Sequence, residues 1–193
     1  MRKAFLVILV ALLVPLYLAA YVSIHEIGHT TLARFLGDPD SAYYLIKIDE
    51  NSRSIGRTDY DISKLSWGAN LLVSVGGMLA TQIAAFVSLF LLRFRRADRS
   101  LGRAISIITF LFAFDVPFQL MQALGYRGLH PTWSTGVDFM DFMLLLQMEL
   151  GLRLALLKWI LSALVGLYLA AFIWAYKRIR MVRKPLEPSM EVA

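Results

Sequence analysis

Long apolar runs separated by short charged stretches dominate the chain. Four of these runs are long enough to cross a hydrocarbon core of about 30 Å as helices that rise about 1.5 Å per residue. They cover residues 4–24, 67–92, 104–124 and 154–176. The pattern therefore predicts an all-α membrane protein with about four transmembrane helices.

The first apolar run is expected to continue as a helix to Leu36. Gly37 suits the position just after a helix end, and Asp38-Pro39 cannot extend a helix. A cleaved signal peptide is the competing interpretation, since basic residues precede the run, but the run is longer than the usual signal core of about 7–15 residues. We therefore expect a retained membrane anchor.

The loop between the first two runs, residues 37–66, has a pattern of its own. Residues 41–49 are typical of a strand, residues 50–53 of a turn, and residues 54–60 of a returning strand. This pattern predicts a small β-hairpin in the first extramembrane loop. A surface connector without regular structure is the competing interpretation.

Composition and charge agree with a multi-pass membrane protein. The chain is 58% apolar and 18% charged, whereas an average globular domain is about 45–50% apolar and about 25% charged. Its net charge of +6 arises mainly from the N-terminus, the loop after the second run and the tail, which four spans place on one side. Both termini are therefore predicted to be cytoplasmic, with the lipid bilayer rather than nucleic acid as the partner of the basic residues.

The segment His25-Glu26-Ile27-Gly28-His29 follows directly after the first apolar run. On a helix, residues four apart share one face, so both imidazoles can bind one metal ion while Glu26 deprotonates a metal-bound water. A shuffled sequence of this composition contains such an HExxH motif in roughly one case in a thousand. A structural pair of histidines is the competing interpretation, but ionisable groups near a bilayer are costly and usually functional.

A catalytic zinc normally takes three protein ligands and leaves one position for water. The predicted topology puts several candidates for the third ligand on the same side as the motif, whereas Asp115 lies near the middle of the third run. Four roles are open for Asp115 at that depth: a metal ligand, a carboxylate that orients a histidine, a group that transfers protons, and a structural contact between helices. The candidates are His130, Asp115, Asp138, Asp141 and Glu149.

These residues resemble those of the site-2 protease family of intramembrane zinc metallopeptidases. The HExxH motif in an apolar helix carries the resemblance, together with Ala33-Arg34-Phe35-Leu36-Gly37, which is similar to the family's continuation of that helix. The family's third ligand is an aspartate in a later membrane segment. Gly136-Val137-Asp138-Phe139 is the best match here, so the resemblance assigns that role to Asp138.

The resemblance implies an enzyme, a zinc metalloendopeptidase that cleaves membrane-anchored or membrane-proximal protein substrates. It implies Zn²⁺ on His25, His29 and Asp138, with Glu26 as the general base. A single membrane-embedded domain then covers residues 1–184, and residues 185–193 form a flexible tail. The alternative is a catalytically silent metal-binding or scaffold protein derived from a peptidase fold, although binding alone does not require Glu26. The oligomeric state stays open.

Small residues recur every four positions along the second apolar run, at Gly76, Ala80, Ala84 and Ser88 and again at Gly77, Thr81 and Ala85. Such a face lets another helix approach closely, and the resemblance implies that the partner is the HExxH helix. Asn70, near the start of the run, is a candidate substrate-binding residue through hydrogen bonds to the substrate or its oxyanion. A hydrogen bond between helices is the competing interpretation.

Overall fold

The computed structural model describes residues 2–49, 52–94, 99–125 and 137–181, with side chains at residues 14–48, 55–93, 101–125 and 137–179. This part of the chain is mostly helical and contains one two-stranded sheet, which confirms the predicted combination of membrane-type helices with a small hairpin. The elements in chain order are α1 (Arg2–Leu36), β1 (Ala42–Asp49), β2 (Ser52–Asp59), a short 3-10 helix (Ile62–Lys64), α2 (Trp67–Ser74), α3 (Gly76–Phe94), α4 (Arg99–Ala113), α5 (Asp115–Gly125), α6 (Asp138–Leu150) and α7 (Leu154–Met181).

Three segments of the described chain are long and apolar enough to cross a membrane: Gly76–Arg93, Leu101–Gly125 and Leu154–Ile179. They correspond to the second, third and fourth predicted runs. The first run, residues 4–24, lies in α1, but its side chains at residues 4–13 fall outside the described part of the chain, so a fourth span stays a prediction. The sidedness of the termini also stays a prediction, and the expected flexible tail, residues 185–193, lies outside the described residues.

Strands β1 and β2 form the antiparallel hairpin, with Ala42 opposite Asp59 and Ile46 opposite Ile55. The predicted hairpin is thus confirmed, and the interpretation of this loop as a plain connector is wrong. Strand β2 begins at Ser52, two residues earlier than predicted.

The loop that carries the hairpin is fastened around the carboxylate of Asp38. This buried group accepts the backbone N–H of Asp61 at 2.7 Å and the Lys64 ammonium at 3.0 Å. Both interactions favour the ionised form and hold the pKa of the Asp38 carboxyl below its usual range. Because Asp38 lies two residues after α1, these bonds tie the end of α1 to the chain that follows the hairpin.

The second and third apolar runs are each interrupted once, rather than forming single helices. The second run breaks at Val75, just before Gly76 and Gly77, which are weak helix formers. The third run breaks at Phe114, three residues before Pro117, which has no N–H to donate to the carbonyl four residues earlier. Apolar periodicity alone does not reveal these breaks because each run as a whole stays apolar before and after its break.

Side chains from other helices satisfy the backbone at the Phe114 break. The side chain of Gln82 in α3 donates to the Phe112 carbonyl at 3.1 Å. The Tyr168 hydroxyl in α7 donates to Gln82 Oε1 and lies 3.4 Å from the carbonyl oxygen of Ala113. The break is therefore a fixed part of the fold, held by α3 and α7.

Helix α3 packs along α1 with almost no side-chain volume between the two backbones. A β-carbon built at Gly28 would lie 2.7 Å from the β-carbon of Ala80, and one built at Gly76 would lie 3.0 Å from the carbonyl oxygen of Gly28. The small-residue face predicted on the second run thus does contact the helix that carries the HExxH motif. This close approach brings α3 beside the two histidines.

Candidate metal centre

Three potential ligand atoms converge between α1 and α6. His25 Nε2 lies 3.1 Å from Asp138 Oδ2, His29 Nε2 lies 3.3 Å from the same oxygen, and the two Nε2 atoms are 3.3 Å apart. Four-residue spacing on α1 aligns the two imidazoles, and the first residue of α6 brings the carboxylate. This buried group can hold a metal ion, as the sequence predicted for these three residues.

The distances and the hydrogen bonding at the group agree with a tetrahedral ion. With metal–ligand bonds of about 2.0–2.1 Å, tetrahedral ligand atoms stand about 3.3 Å apart, close to the three observed separations. Asp138 Oδ2 is buried and makes no well-aligned hydrogen bond. A buried carboxylate oxygen without such a bond is costly, and a cation bound among the three atoms would satisfy it.

Both histidines are oriented through their other ring nitrogen. His29 Nδ1 lies 2.6 Å from the carbonyl oxygen of Val73 in the last turn of α2, where helix carbonyls lack partners within their own helix. His25 Nδ1 lies 3.0 Å from Asp115 Oδ2, at the start of α5. Metal-binding histidines usually donate this N–H to a carbonyl or a carboxylate, so both rings have the arrangement that a metal site requires.

Glu26 lies beside the ligand group and is held by the hairpin. The Thr58 hydroxyl in β2 lies 2.8 Å from Glu26 Oε2 and 3.0 Å from the Glu26 carbonyl oxygen. At Gly56, where φ is +73°, a β-carbon would lie 2.9 Å from Glu26 Oε1. A glycine is therefore needed at this position both for its backbone conformation and for the close approach of β2 to the carboxylate.

A cleft of about 760 Å³ opens onto the ligand group. Strand β2 lines one part of it, and residues of α1, α5 and α6, among them Glu26, Gln119 and Asp141, line most of the rest. Tyr60, which directly follows β2, also lines the cleft. Burial, together with the Asp141 and Asp138 carboxylates, raises the pKa of the Tyr60 hydroxyl to about 12. Tyr60 therefore keeps its proton at neutral pH and offers a hydrogen-bond donor to whatever occupies the cleft.

The other candidates for the third ligand occupy different places. Asp141 lines the cleft one turn after Asp138, Asp115 faces His25 from the side opposite Asp138, and Glu149 is exposed near the end of α6. His130 lies outside the described residues.

Asn70 is not brought to the metal group. It is buried in α2, its amide nitrogen donates to the carbonyls of Ile62 and Leu65 at 3.1 and 3.3 Å, and it does not line the cleft. The amide thus fastens the 3-10 helix to α2. A substrate-binding role for Asn70 stays a prediction without support from this position.

Several residues of the site were not singled out from the sequence. Tyr21 and Thr81 donate to Asp115, Thr58 holds Glu26, and Gln119 Oε1 accepts the backbone N–H of Asp138 at 3.3 Å, which positions the start of α6. Tyr21 precedes His25 by four residues, so helical spacing was a usable signal for it. Thr81 belongs to the small-residue face of the second run but was not assigned to the site, and no local pattern marks Thr58 or Gln119.

A comparison of the chain with protein-family models, with curated proteins and with solved structures finds no match. Functional conclusions therefore rest on the geometry of the site.

Proposed function

We propose that the protein is an intramembrane zinc metalloprotease that hydrolyses peptide bonds of membrane-anchored or membrane-proximal proteins. The observation that carries this proposal is the convergence of His25 Nε2, His29 Nε2 and Asp138 Oδ2 to 3.1–3.3 Å next to Glu26. A structural histidine pair needs neither a third converging oxygen nor an adjacent carboxylate open to a cleft. The candidate spans around the site support a substrate that is itself held at the membrane.

Each residue of the site has a role in the proposed reaction. His25, His29 and Asp138 would hold the zinc, which supplies a Lewis acid that lowers the pKa of water and polarises a carbonyl group. Glu26 takes a proton from the attacking water and delivers it to the nitrogen of the leaving amine. Thr58 fixes the direction of the Glu26 carboxylate, and Gln119 fixes the start of α6 and with it Asp138.

Substitution Glu26→Gln separates catalysis from metal binding. We expect the variant to lose cleavage of a model transmembrane substrate while it keeps one zinc per chain, because the amide cannot take up the proton and Glu26 is not among the three ligands. The measurements are substrate cleavage in reconstituted vesicles and zinc content by elemental analysis. Retained cleavage in the variant would overturn the proposed mechanism.

Substitutions His25→Ala and Asp138→Ala test the ligands themselves. Each removes one of the three converging atoms, so we expect zinc content to fall well below one per chain and cleavage to be lost with it. Glu149→Ala, an exposed carboxylate on the same helix as Asp138, is the matched control and should bind zinc normally. Zinc binding by wild type without cleavage of any membrane substrate would favour the alternative of a silent metal-binding or scaffold protein.

A further inference from the structure

The candidate span Leu101–Gly125 contains a buried carboxylate that the proposed reaction does not use. Asp115 is only 1% exposed and begins α5, directly after the break at Phe114. An ionisable side chain inside a membrane-type helix is costly unless it is well paired, and such residues are usually functional. The position and partners of Asp115 therefore require an explanation.

Three side chains from two other helices surround this carboxylate. The Tyr21 hydroxyl in α1 donates to Oδ1, and the Thr81 hydroxyl in α3, itself fully buried, donates to Oδ2 at 2.5 Å. His25 Nδ1 completes the set at 3.0 Å from Oδ2. The Thr81 hydroxyl also lies 2.9 Å from the Met78 carbonyl oxygen, but the carboxylate is the stronger acceptor and the shorter contact. All three groups can therefore donate to the carboxylate.

The contact with His25 decides which ring nitrogen can bind a metal. A hydrogen on Nδ1, donated to Asp115, leaves Nε2 with a free lone pair. Nε2 is the atom that faces Asp138 and His29 at 3.1 and 3.3 Å. The carboxylate therefore selects the tautomer of His25 that the ligand group requires and holds the plane of the ring in position.

The charges of the centre also depend on Asp115. Two neutral histidines and one ionised aspartate leave a divalent cation with an excess of one positive charge in a buried site. Uncompensated charge of this kind is unfavourable where the dielectric constant is low. Asp115 adds a buried carboxylate one imidazole away from the ion, besides the Glu26 and Asp141 carboxylates that line the cleft.

We infer that Asp115 is a positioning residue of the metal centre. It fixes the orientation and tautomer of His25 and adds a buried negative charge one imidazole away from the ion, and Thr81 and Tyr21 hold it in place. This inference rests on the metal site of the proposed function but not on peptide hydrolysis.

The test compares metal binding in full-length variants in detergent micelles. Asp115→Asn keeps the size of the side chain and one acceptor oxygen but removes the charge. We expect its Kd for Zn²⁺, measured by competition with a chromogenic chelator, to rise about 10- to 100-fold. We also expect the visible absorption of bound Co²⁺ to change, because the orientation and basicity of His25 change; a residue that only supports the fold would leave that spectrum unaltered.

Two further variants and one control keep the test decisive if Asp115→Asn does not fold. Tyr21→Phe and Thr81→Val each remove one hydroxyl that holds the carboxylate, and Thr81→Ser should restore binding. Thr109→Val removes a fully buried hydroxyl in α4 that donates to the Ile105 carbonyl of its own helix, and it should bind Zn²⁺ like wild type.

The outcomes separate this inference from the proposed function. Wild type that binds Zn²⁺ and an Asp115→Asn variant with the same Kd and the same Co²⁺ spectrum would overturn the role of Asp115 and leave the ligand set intact. The same holds for unchanged binding in both Tyr21→Phe and Thr81→Val if Asp115→Asn does not fold. Wild type without Zn²⁺ binding would overturn both.

Discussion

Gly77 lies against the edges of both imidazoles, where no side chain fits. A β-carbon at this position would lie 2.5 Å from His29 Nε2 and in severe overlap with His25 Nε2. The residue appears in the sequence as one of several small residues in a packing face. In the structure, its missing side chain makes room for the two ring nitrogens that face Asp138.

Gly77→Ala should therefore damage the metal centre without altering any ligand. The added methyl group must displace at least one imidazole, and overpacking of this kind costs about 1–3 kcal/mol of folding free energy. We expect a Kd for Zn²⁺ at least about tenfold higher and a lower unfolding temperature. Gly166→Ala in α7, where a β-carbon meets no neighbouring atom, is the control; equal zinc affinity in the two variants would contradict this role of Gly77.

The predictability of the site differs from residue to residue. His25, Glu26 and His29 follow from spacing on one helix, and Asp138 was assigned through a family resemblance. The partners of the two Nδ1 atoms, Val73 and Asp115, lie 44 and 90 residues away along the chain from the histidines they orient. Tertiary packing brings both groups to α1. The charge of Asp115 inside an apolar run marks it in the sequence as a candidate partner of a histidine, whereas no spacing rule identifies Val73.

At the scale of elements, β2 does more than close a hairpin. It crosses α1 at the motif, with Gly56 against Glu26 and the Thr58 hydroxyl on the Glu26 carboxylate. The hairpin thus belongs to the wall of the cleft, and its attachment to the end of α1 through Asp38 controls the position of that wall.

Thr58→Val should lower turnover while metal binding stays unchanged. The Thr58 hydroxyl directs the Glu26 carboxylate, and general-base catalysis depends on the position of the base, so we expect kcat to fall by about tenfold or more. Thr58→Ser keeps the hydroxyl and should retain most activity. A fall in zinc content parallel to that in kcat would instead mean that β2 supports the ligands and not Glu26.

The hairpin should also loosen in acid. Because the pKa of Asp38 is lowered in the folded protein, its bonds stabilise the loop fully above the ordinary carboxyl pKa of 3.8, and the stabilisation is lost as pH falls through the lowered value. A spin label on Ile48→Cys, at an exposed position in β1, should be immobile at neutral pH and mobile below about pH 3.8. Adding Asp38→Asn should make the label mobile at all these pH values; identical pH profiles would contradict the role of Asp38.

The elements were predicted more fully than their interruptions. The end of α1 at Leu36 and the hairpin follow from local signals, a glycine followed by Asp-Pro and two strand-like segments around a turn. The breaks at Val75 and Phe114 are less visible because hydrophobicity continues through them. Gly76-Gly77 and Pro117 were the available signals in the sequence. Only the structure shows that the group beside each break contacts a histidine of the motif.

At the scale of the whole molecule, two interrupted helices flank one motif. The break after α2 leaves the Val73 carbonyl at a helix end facing His29, and the break before α5 places Asp115 at a helix start facing His25. In a continuous helix, the Val73 carbonyl would accept a hydrogen bond from its own helix and would not be free to accept one from His29. The bundle therefore combines candidate membrane spans with the local backbone irregularity that the metal centre needs.

The orientation of this bundle in the bilayer can be tested directly because the chain contains no cysteine. The distribution of basic residues predicts that the loop after the second span is cytoplasmic and that the hairpin lies on the opposite face. An impermeant thiol reagent applied outside intact cells should therefore label Asn51→Cys but not Ser100→Cys. The reverse pattern would invert the predicted topology and leave the metal centre itself unchanged.

The two buried aspartates also link the amount of folded protein to the supply of the ion. Without a cation, the bundle holds Asp115 and Asp138 with two imidazoles and no compensating divalent charge, and bound ligand adds stability as the logarithm of its concentration over Kd. Chelation should therefore lower the unfolding temperature of wild type much more than that of Asp138→Asn. In cells starved of the metal, the empty protein should be degraded faster, so that its abundance reports on metal supply.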